Sequence, residues 1–148
     1  TASTAFVKAF RALSPTTPMA GLSVSIIASE LPKLNGLLGG VALGQVFPDA
    51  ASPRSAMART YQQHMREAGE EARIGASSLE GWLNAQVLID ALRRCGGDLK
   101  RDRLRSALAG MRKFEIQDFP LGFGAQAPYV ASSYIDLAVL NAAGKRIG

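Results

Sequence analysis

Along the first third of the chain, segments with the apolar spacing of a helix alternate with segments spaced like strands, and glycine or proline separates them. Phe6, Phe10 and Leu13 recur at helical spacing, so residues 3–13 predict a helix that packs one face on a core. Pro15 and Pro18 end this helix, because proline lacks a backbone donor and disfavours helix in the residue before it. The pattern that follows predicts a strand over residues 19–23, a short helix over 29–34 and a buried strand over 40–47.

The middle of the chain is helical. Apolar stripes within residues 55–111 predict three helices. The longest, over residues 79–92, is apolar on most sides and is expected to be deeply buried, and Ser77 and Glu80 have the spacing of a capping box at its start. Strand-like patterns return in the tail, over residues 114–123 and 133–140. This order predicts an α/β fold with a helical block between its strands.

The composition excludes several classes of protein. With 47% apolar and 20% charged residues, the chain falls in the range of globular domains, which excludes disordered and collagen-like proteins. One cysteine and one histidine cannot form an internal disulfide or a Cys/His zinc site, so the sequence predicts no metal and no cofactor. No apolar run approaches the ~18 residues that a membrane-spanning helix needs.

Positive charge is concentrated in one segment. The net charge is +5, and residues 93–113 carry eight lysines and arginines against Asp98 and Asp102. A basic balance can indicate a nucleic acid or an anionic surface as partner. No aromatic side chain interrupts the segment before Phe114, so it lacks the stacking platform of a single-strand-binding protein. The simpler interpretation is a solvated helix surface, and no nucleic-acid partner is expected.

The motifs of common enzyme active sites do not occur in the sequence. It contains no Gly-x-Ser-x-Gly, no P-loop, and no Gly-x-Gly-x-x-Gly followed by an acidic residue. His64 has neither a cysteine nor a second histidine near it in sequence, and it lies among polar residues. We therefore expect a binding protein and not an enzyme.

Five segments, in this order and spacing, resemble a known family. They are TASTAFVKAFR (residues 1–11), GGVALGQVFP (39–48), SSLEGW (77–82), AQVLIDAL (85–92) and SSYIDLAV (132–139). Together they resemble the C-terminal half of a type I periplasmic solute-binding protein, and within that class the branched-chain amino acid receptor family of ABC importers.

The resemblance implies one part of a two-lobed receptor, whose three-layer α/β/α lobes are joined by several hinge crossings. Residues 1–48 would belong to the second lobe, 49–113 would form a helical segment of the first lobe, and 114–148 would return to the second lobe. Because the chain opens with Thr1, we expect it to be a piece of a longer protein whose parent carries a signal peptide. The helix over 79–92 would then be partly uncovered, and the isolated chain is expected to self-associate.

Six residues are candidates for ligand binding. Ser23 and Ser25 follow the first predicted strand, where α/β sheets bind ligands, although the two hydroxyls could equally satisfy a turn. Ser23 matches the position where the amino acid receptors carry an acid that holds the ligand's ammonium group. Thr1 and Ser3 open the first helix, whose free amides suit an anion. The last two candidates, Gln45 and Phe47, lie where the hinge strand leaves the lobe, and hinge packing is the simpler interpretation for both.

The resemblance implies an extracytoplasmic receptor that binds a small carboxylate-bearing metabolite, either an amino acid or an aromatic or other organic acid. Binding would be non-covalent, in a cleft between lobes that closes by hinge motion. The receptor would be periplasmic and would deliver its ligand to an ABC permease. The alternative is a ligand-sensing regulatory domain with a nucleic-acid or protein partner, because related folds are reused as sensors.

Overall fold

The computed structural model describes residues 1–26, 28–97, 99–124, 126–127 and 129–147, so Asp98 of the basic segment lies outside the described residues. The helices are α1 (Ala2–Leu13), α2 (Ala56–Glu67), α3 (Ala76–Cys95) and α4 (Arg101–Gly110). The strands are β1 (Met19–Leu22), β2 (Val41–Gln45), β3 (Phe114–Ile116), β4 (Phe119–Leu121) and β5 (Asp136–Val139). Short 3-10 helices cover Ser23–Ser25, Ala28–Leu34 and Glu71–Arg73. The predicted α/β class is confirmed.

The chain divides into two compact units. Unit 1 contains Thr1–Asp49, Gly75–Ser77 and Tyr134–Gly148, and unit 2 contains Ala50–Ile74 and Ser78–Ser133. The β3–β4 hairpin therefore belongs with the helices of unit 2, whereas the sequence analysis grouped it with the C-terminal strands. The assignment of residues to receptor lobes stays a prediction.

Unit 1 is built on a three-stranded sheet in the order β1-β2-β5. β1 runs parallel to β2, and β5 runs antiparallel to it. One face of the sheet is covered by α1 and the 3-10 helix Ala28–Leu34, which pack on it. The core on that face consists of Val7, Leu34, Leu38, Val41, Leu43 and Leu140. The opposite face carries Leu22, Leu137 and Val139, and Leu137 is 66% exposed.

Arg11 is a buried arginine that fixes the path of the chain on both sides of β1. Its Nε donates to the carbonyl oxygen of Leu37 at 3.0 Å, and its terminal nitrogens donate to the carbonyls of Pro15, Thr17 and Gly39. These acceptors belong to the loops that lead into β1 and β2. Because a buried charge needs several partners to offset lost hydration, the four carbonyls explain why an arginine is buried here.

In unit 2, α3 packs one face and leaves the other exposed. Leu79, Leu83 and Ala91 are buried, but Leu88 and Ile89 are 46% and 40% exposed, so the prediction of a helix buried on most sides is wrong for this face.

The predicted capping box at the start of α3 is wrong as well. The helix begins at Ala76, which places Ser77 inside its first turn. The neighbouring hydroxyl of Ser78 instead donates to the carbonyl of Arg73 at 2.6 Å and lies 2.6 Å from the Tyr61 hydroxyl.

The β3–β4 hairpin is tied to the beginning of α2 by one carboxylate. Asp118 accepts hydrogen bonds from the backbone amides of Ala56 and Met57, both at 2.8 Å, and from the Ser55 hydroxyl at 3.2 Å. Burial raises the pKa of Asp118, but these donors outweigh it and hold the pKa below its ordinary value. Asp118 thus satisfies backbone amides that the first turn of a helix leaves without partners.

Candidate functional site

The carboxyl ends of β1 and β2 meet at one edge of the sheet in unit 1, which we call the carboxyl edge. Leu22 pairs with Gly44 in the parallel register, so Ser23 and Gln45 are the next residues on adjacent strands. Ligands in open α/β sheets bind beyond this edge, where loops replace the strands and leave polar groups available. The structure therefore brings two of the six candidates side by side.

The two serines lie on a tight turn directly after β1. Ser23 and Ser25 are the first and last residues of the 3-10 helix Ser23–Ser25, which contacts β2. Ser23 is half-buried and Ser25 is exposed. Hydroxyl groups both donate and accept hydrogen bonds, so this turn can recognise either a carboxylate or a neutral polar group.

Thr1 and Ser3 open α1, and this helix terminus is directed toward the same edge. Arg11, near the end of α1, bonds to the carbonyls of Thr17 and Gly39 just before β1 and β2, so the end of the helix lies at the opposite edge of the sheet and its start lies toward the carboxyl edge. The Thr1 hydroxyl accepts from the Thr4 amide at 3.3 Å and caps the helix. Thr1 is exposed and Ser3 is half-buried.

An acidic residue of the chain itself occupies the position beside this terminus. The Oε2 atom of Glu30 accepts from the backbone nitrogen of Thr1 at 3.2 Å and from the Thr4 hydroxyl at 2.7 Å, while Oε1 accepts from Lys33. The hydrogen bonds from Lys33 and Thr4 lower the pKa of Glu30 to about 2. Glu30 therefore places a negative charge of the chain itself beside the start of α1, where the sequence predicts that an anion could bind.

Gln45 is held by a residue that sequence reasoning missed. Arg146 donates to the Gln45 side-chain oxygen at 2.9 Å and to Asp136 at 2.6 Å. The hydrogen bond from Arg146 lowers the pKa of Asp136, whereas burial and the nearby Asp136 charge raise the pKa of Tyr134. The local sequence gives no signal for this cluster, because Gln45 and Arg146 are 101 residues apart.

Phe47 lies two residues beyond β2 and is half-buried. It belongs to the same unit as the other five candidates. Its ring is the one aromatic side chain among the six, and an aromatic face suits flat, apolar ligand groups.

The described residues do not support a metal centre or a membrane span. Within residues 1–26, 28–97, 99–124, 126–127 and 129–147, no three histidine, cysteine or acidic side chains are close enough to hold a metal ion. In the same part of the chain, no helix combines the length and the hydropathy needed to cross a bilayer. His64 accepts a hydrogen bond from the indole nitrogen of Trp82 at 3.0 Å, which gives it a structural role between α2 and α3.

Residues 1–134 match the family of periplasmic binding proteins. No curated protein matches the sequence. Among solved structures, the extracellular ligand-binding receptor from Verminephrobacter eiseniae is 27% identical, with a TM-score of 0.85 over 98% of this chain and 41% of that one. The substrate-binding periplasmic protein from Ralstonia solanacearum is 26% identical, with a TM-score of 0.82 over 98% of this chain and 42% of its own. An ABC transporter solute-binding protein from R. palustris, solved with benzoate, shares the fold at 18% identity, with a TM-score of 0.75 over 98% of this chain and 38% of its own.

This chain spans less than half the length of those three structures. The family match nevertheless covers most of the chain, and it confirms the resemblance on which the sequence analysis relied. The relatives are described as receptors and substrate-binding proteins. The chain therefore belongs to the periplasmic binding protein family.

Proposed function

We propose that the chain is the C-terminal part of a periplasmic receptor that captures a small carboxylate-bearing metabolite for an ABC permease. The observation that carries the proposal is the carboxyl edge, where Ser23 and Ser25 directly follow β1 and Gln45 ends the parallel strand β2, in a fold shared with known receptors. The protein is a binding receptor and not an enzyme. It binds its ligand through a few polar side chains in a cleft that excludes water.

The charges around the edge favour an organic acid over an amino acid. An amino acid needs a carboxylate to hold its ammonium group, yet Glu30 already bonds to Lys33 and Thr4, and Asp136 bonds to Arg146. The position that carries the ammonium-binding acid in amino acid receptors is Ser23, and a hydroxyl forms a weaker bond to an ammonium than a carboxylate does.

A carboxylate ligand fits these groups better. The hydroxyls of Ser23 and Ser25 can donate to its oxygens, and the side-chain amide nitrogen of Gln45, whose oxygen accepts from Arg146, can donate as well. We assign Phe47 to the apolar part of the ligand and Thr1 and Ser3 to the rim of the site. Benzoate, which one receptor of the same fold holds, is an example of such a ligand.

The matched receptors are more than twice as long as this chain, so we propose that residues outside it complete the cleft. Residues 1–48 and the C-terminal strands would supply the second lobe, and the helical segment would belong to the first. Hinge closure over the ligand would then present the closed receptor to the permease.

Calorimetry of the complete protein tests the proposed ligand class. We expect benzoate and aliphatic carboxylates to bind, and leucine to bind at least tenfold more weakly. Ser23→Ala and Gln45→Ala should each weaken binding about tenfold, the effect of losing one hydrogen bond to a charged group. The matched control Ser106→Ala removes an exposed hydroxyl on α4 in unit 2 and should change nothing.

Two outcomes would contradict this proposal. Tight leucine binding without carboxylate binding would overturn the ligand class, and Ser23→Asp should then further improve leucine binding. If none of these ligands binds, or if Ser23→Ala and Ser106→Ala weaken ligand binding equally, the placement of the site at the carboxyl edge is wrong.

A further inference from the structure

Residues 93–113, which we call the basic segment, carry an unusual density of exposed positive charge. The segment covers the end of α3, the connection to α4, α4 itself and the link to β3. All eight basic side chains are exposed: Arg93, Arg94, Lys100, Arg101, Arg103, Arg105, Arg112 and Lys113. The rest of unit 2 contains seven acidic residues and only four basic ones. The net positive charge of this unit therefore comes from the basic segment alone.

The arrangement of these charges is unfavourable for α4 itself. Lys100 is the N-cap and makes no side-chain capping bond, and in the first turn Arg101 and Arg103 outnumber the single acid, Asp102. Cations at a helix N-terminus oppose the helix dipole. Arg101 and Arg105 are also four residues apart, where like charges repel on a helix surface. Charges that disfavour their own helix indicate a role outside it.

The apolar residues beside these charges indicate the kind of partner. Leu99 precedes Lys100 and is 68% exposed. On α3, Ile89 and Arg93 are four residues apart, so an exposed apolar side chain and an exposed cation share one face of the helix. Exposed leucine or isoleucine among basic side chains is typical of segments that rest on a lipid surface, where the cations meet headgroups and the apolar groups enter the interface.

Nucleic acid fits these residues less well. The basic segment has no aromatic side chain on which a base could stack. A phosphate backbone would engage the arginines, but it offers no apolar environment for Leu99 or Ile89.

We propose that the basic segment docks the protein on an anionic phospholipid surface. The basic segment lies in unit 2 and shares no residue with the candidate ligand site, which lies in unit 1. The contact would hold the receptor close to a membrane. Ligand calorimetry and vesicle binding can therefore fail independently.

Vesicle sedimentation of the complete protein tests the docking contact. We expect it to bind vesicles that contain phosphatidylglycerol at low salt, to release at high salt, and not to bind pure phosphatidylcholine vesicles. Each basic residue near an anionic surface strengthens partitioning about fivefold, so replacing Lys100, Arg101, Arg103 and Arg105 with Gln should weaken it more than about a hundredfold.

The matched control replaces four exposed arginines of the same unit, Arg54, Arg59, Arg66 and Arg73, with Gln. Both variants lose the same net charge, but the control should retain nearly all of its vesicle binding, because those arginines lie outside the basic segment. Equal losses in the two variants would overturn the proposal, because the effect would then follow net charge alone. Failure of the unmodified protein to bind phosphatidylglycerol at low salt would also overturn it.

A single substitution separates docking from folding. Arg101→Glu places an acid in the first turn of α4 and opposite charges at positions 101 and 105, so it should raise the thermal stability of the protein. The same variant should lose at least tenfold in vesicle binding. A variant that is more stable and binds as before would refute the role of this segment, and retention of duplex DNA without vesicle binding would assign it to nucleic acid instead.

Discussion

Removal of the Asp118 carboxylate should destabilise unit 2 by an amount that can be worked out from its contacts. Asp118 accepts two backbone hydrogen bonds at the start of α2, from Ala56 and Met57, and one from the Ser55 hydroxyl. Loss of a capping side chain costs about 1 kcal/mol, and loss of a negative charge at a helix N-terminus adds roughly 0.3 to 1 kcal/mol. We expect Asp118→Ala to lower the free energy of unfolding by about 2 kcal/mol, and Asp118→Asn, which keeps one acceptor oxygen, by about 1 kcal/mol.

Urea unfolding followed by the fluorescence of Trp82, the single tryptophan, measures this loss, because Trp82 lies in the same unit. Ser55→Ala is the matched control at the same terminus, since the Ser55 hydroxyl caps Ala58 and also donates to Asp118. The two substitutions should be non-additive by about 0.5 kcal/mol, because the residues are in contact. An Asp118→Ala variant as stable as the parent would refute the assignment of Asp118 as the cap of α2.

The stabilisation of the folded state by Asp118 should also depend on pH, and it should decrease as the solution becomes acidic. Its pKa is lowered from the ordinary value of 3.8, so the folded state holds the carboxylate charged more strongly than the unfolded state does. The contribution of Asp118 to the free energy of unfolding is therefore complete when the pH is above this ordinary pKa, and it is lost as the pH falls through the pKa of the folded state. The stability difference between the parent and Asp118→Asn should narrow over that acidic range and should be constant near neutral pH.

Four further predictions concern other parts of the chain. Glu30→Gln should lower the urea midpoint of unit 1 near neutral pH, measured by circular dichroism because Trp82 lies in unit 2. Since the pKa of Glu30 is lowered from 4.5 to about 2, the stability advantage of the parent over Glu30→Gln should disappear as the pH falls across that interval. Gly122→Ala should destabilise unit 2 by about 3 kcal/mol in the same urea assay, because a Cβ there would lie 2.1 Å from the Arg112 carbonyl oxygen. Gly81→Ala, in α3 with no atom within 4 Å of the added carbon, should instead stabilise by about 1 kcal/mol. The isolated 148-residue chain should self-associate in analytical ultracentrifugation, since Leu137 and its neighbours on the sheet are exposed; a stable monomer at all concentrations would contradict this.

Local structure was predictable because it depends on the spacing of nearby residues. The helix predicted over residues 3–13 is α1, Ala2–Leu13, and the strand predicted over residues 40–47 contains β2, Val41–Gln45. The errors arose where a neighbour distant in sequence changes the local outcome. Ser77 and Glu80 have the correct spacing for a capping box, but α3 begins earlier, at Ala76. Apolar residues predict a buried helix face only when another element covers that face, which is not so for Leu88.

The polar contacts that define the candidate site could not be predicted from one sequence. Glu30 bonds to Thr4 across 26 residues, and Arg146 bonds to Gln45 across 101 residues. Periodicity carries no information on such pairs, because they depend on the packing of α1 and on the register of β5 against β2. The resemblance could direct attention to Gln45, because it lies on a matching segment, but it gave no role to Arg146.

These long-range pairs set the chemistry that the carboxyl edge can perform. Lys33 and Thr4 keep Glu30 ionised, and Arg146 keeps Asp136 ionised, so both pKa values lie below their ordinary range. Each carboxylate is already bonded to a cation, so neither of them can transfer a proton to a ligand at neutral pH or offer an unshared charge to an ammonium group. Selection among ligands at this edge therefore depends on uncharged donors and on shape. Because a hydrogen bond from a neutral donor to the proposed carboxylate ligand contributes only about 1.5 to 3 kcal/mol, tight binding under this proposal requires the rest of the cleft to close over the apolar part of the ligand.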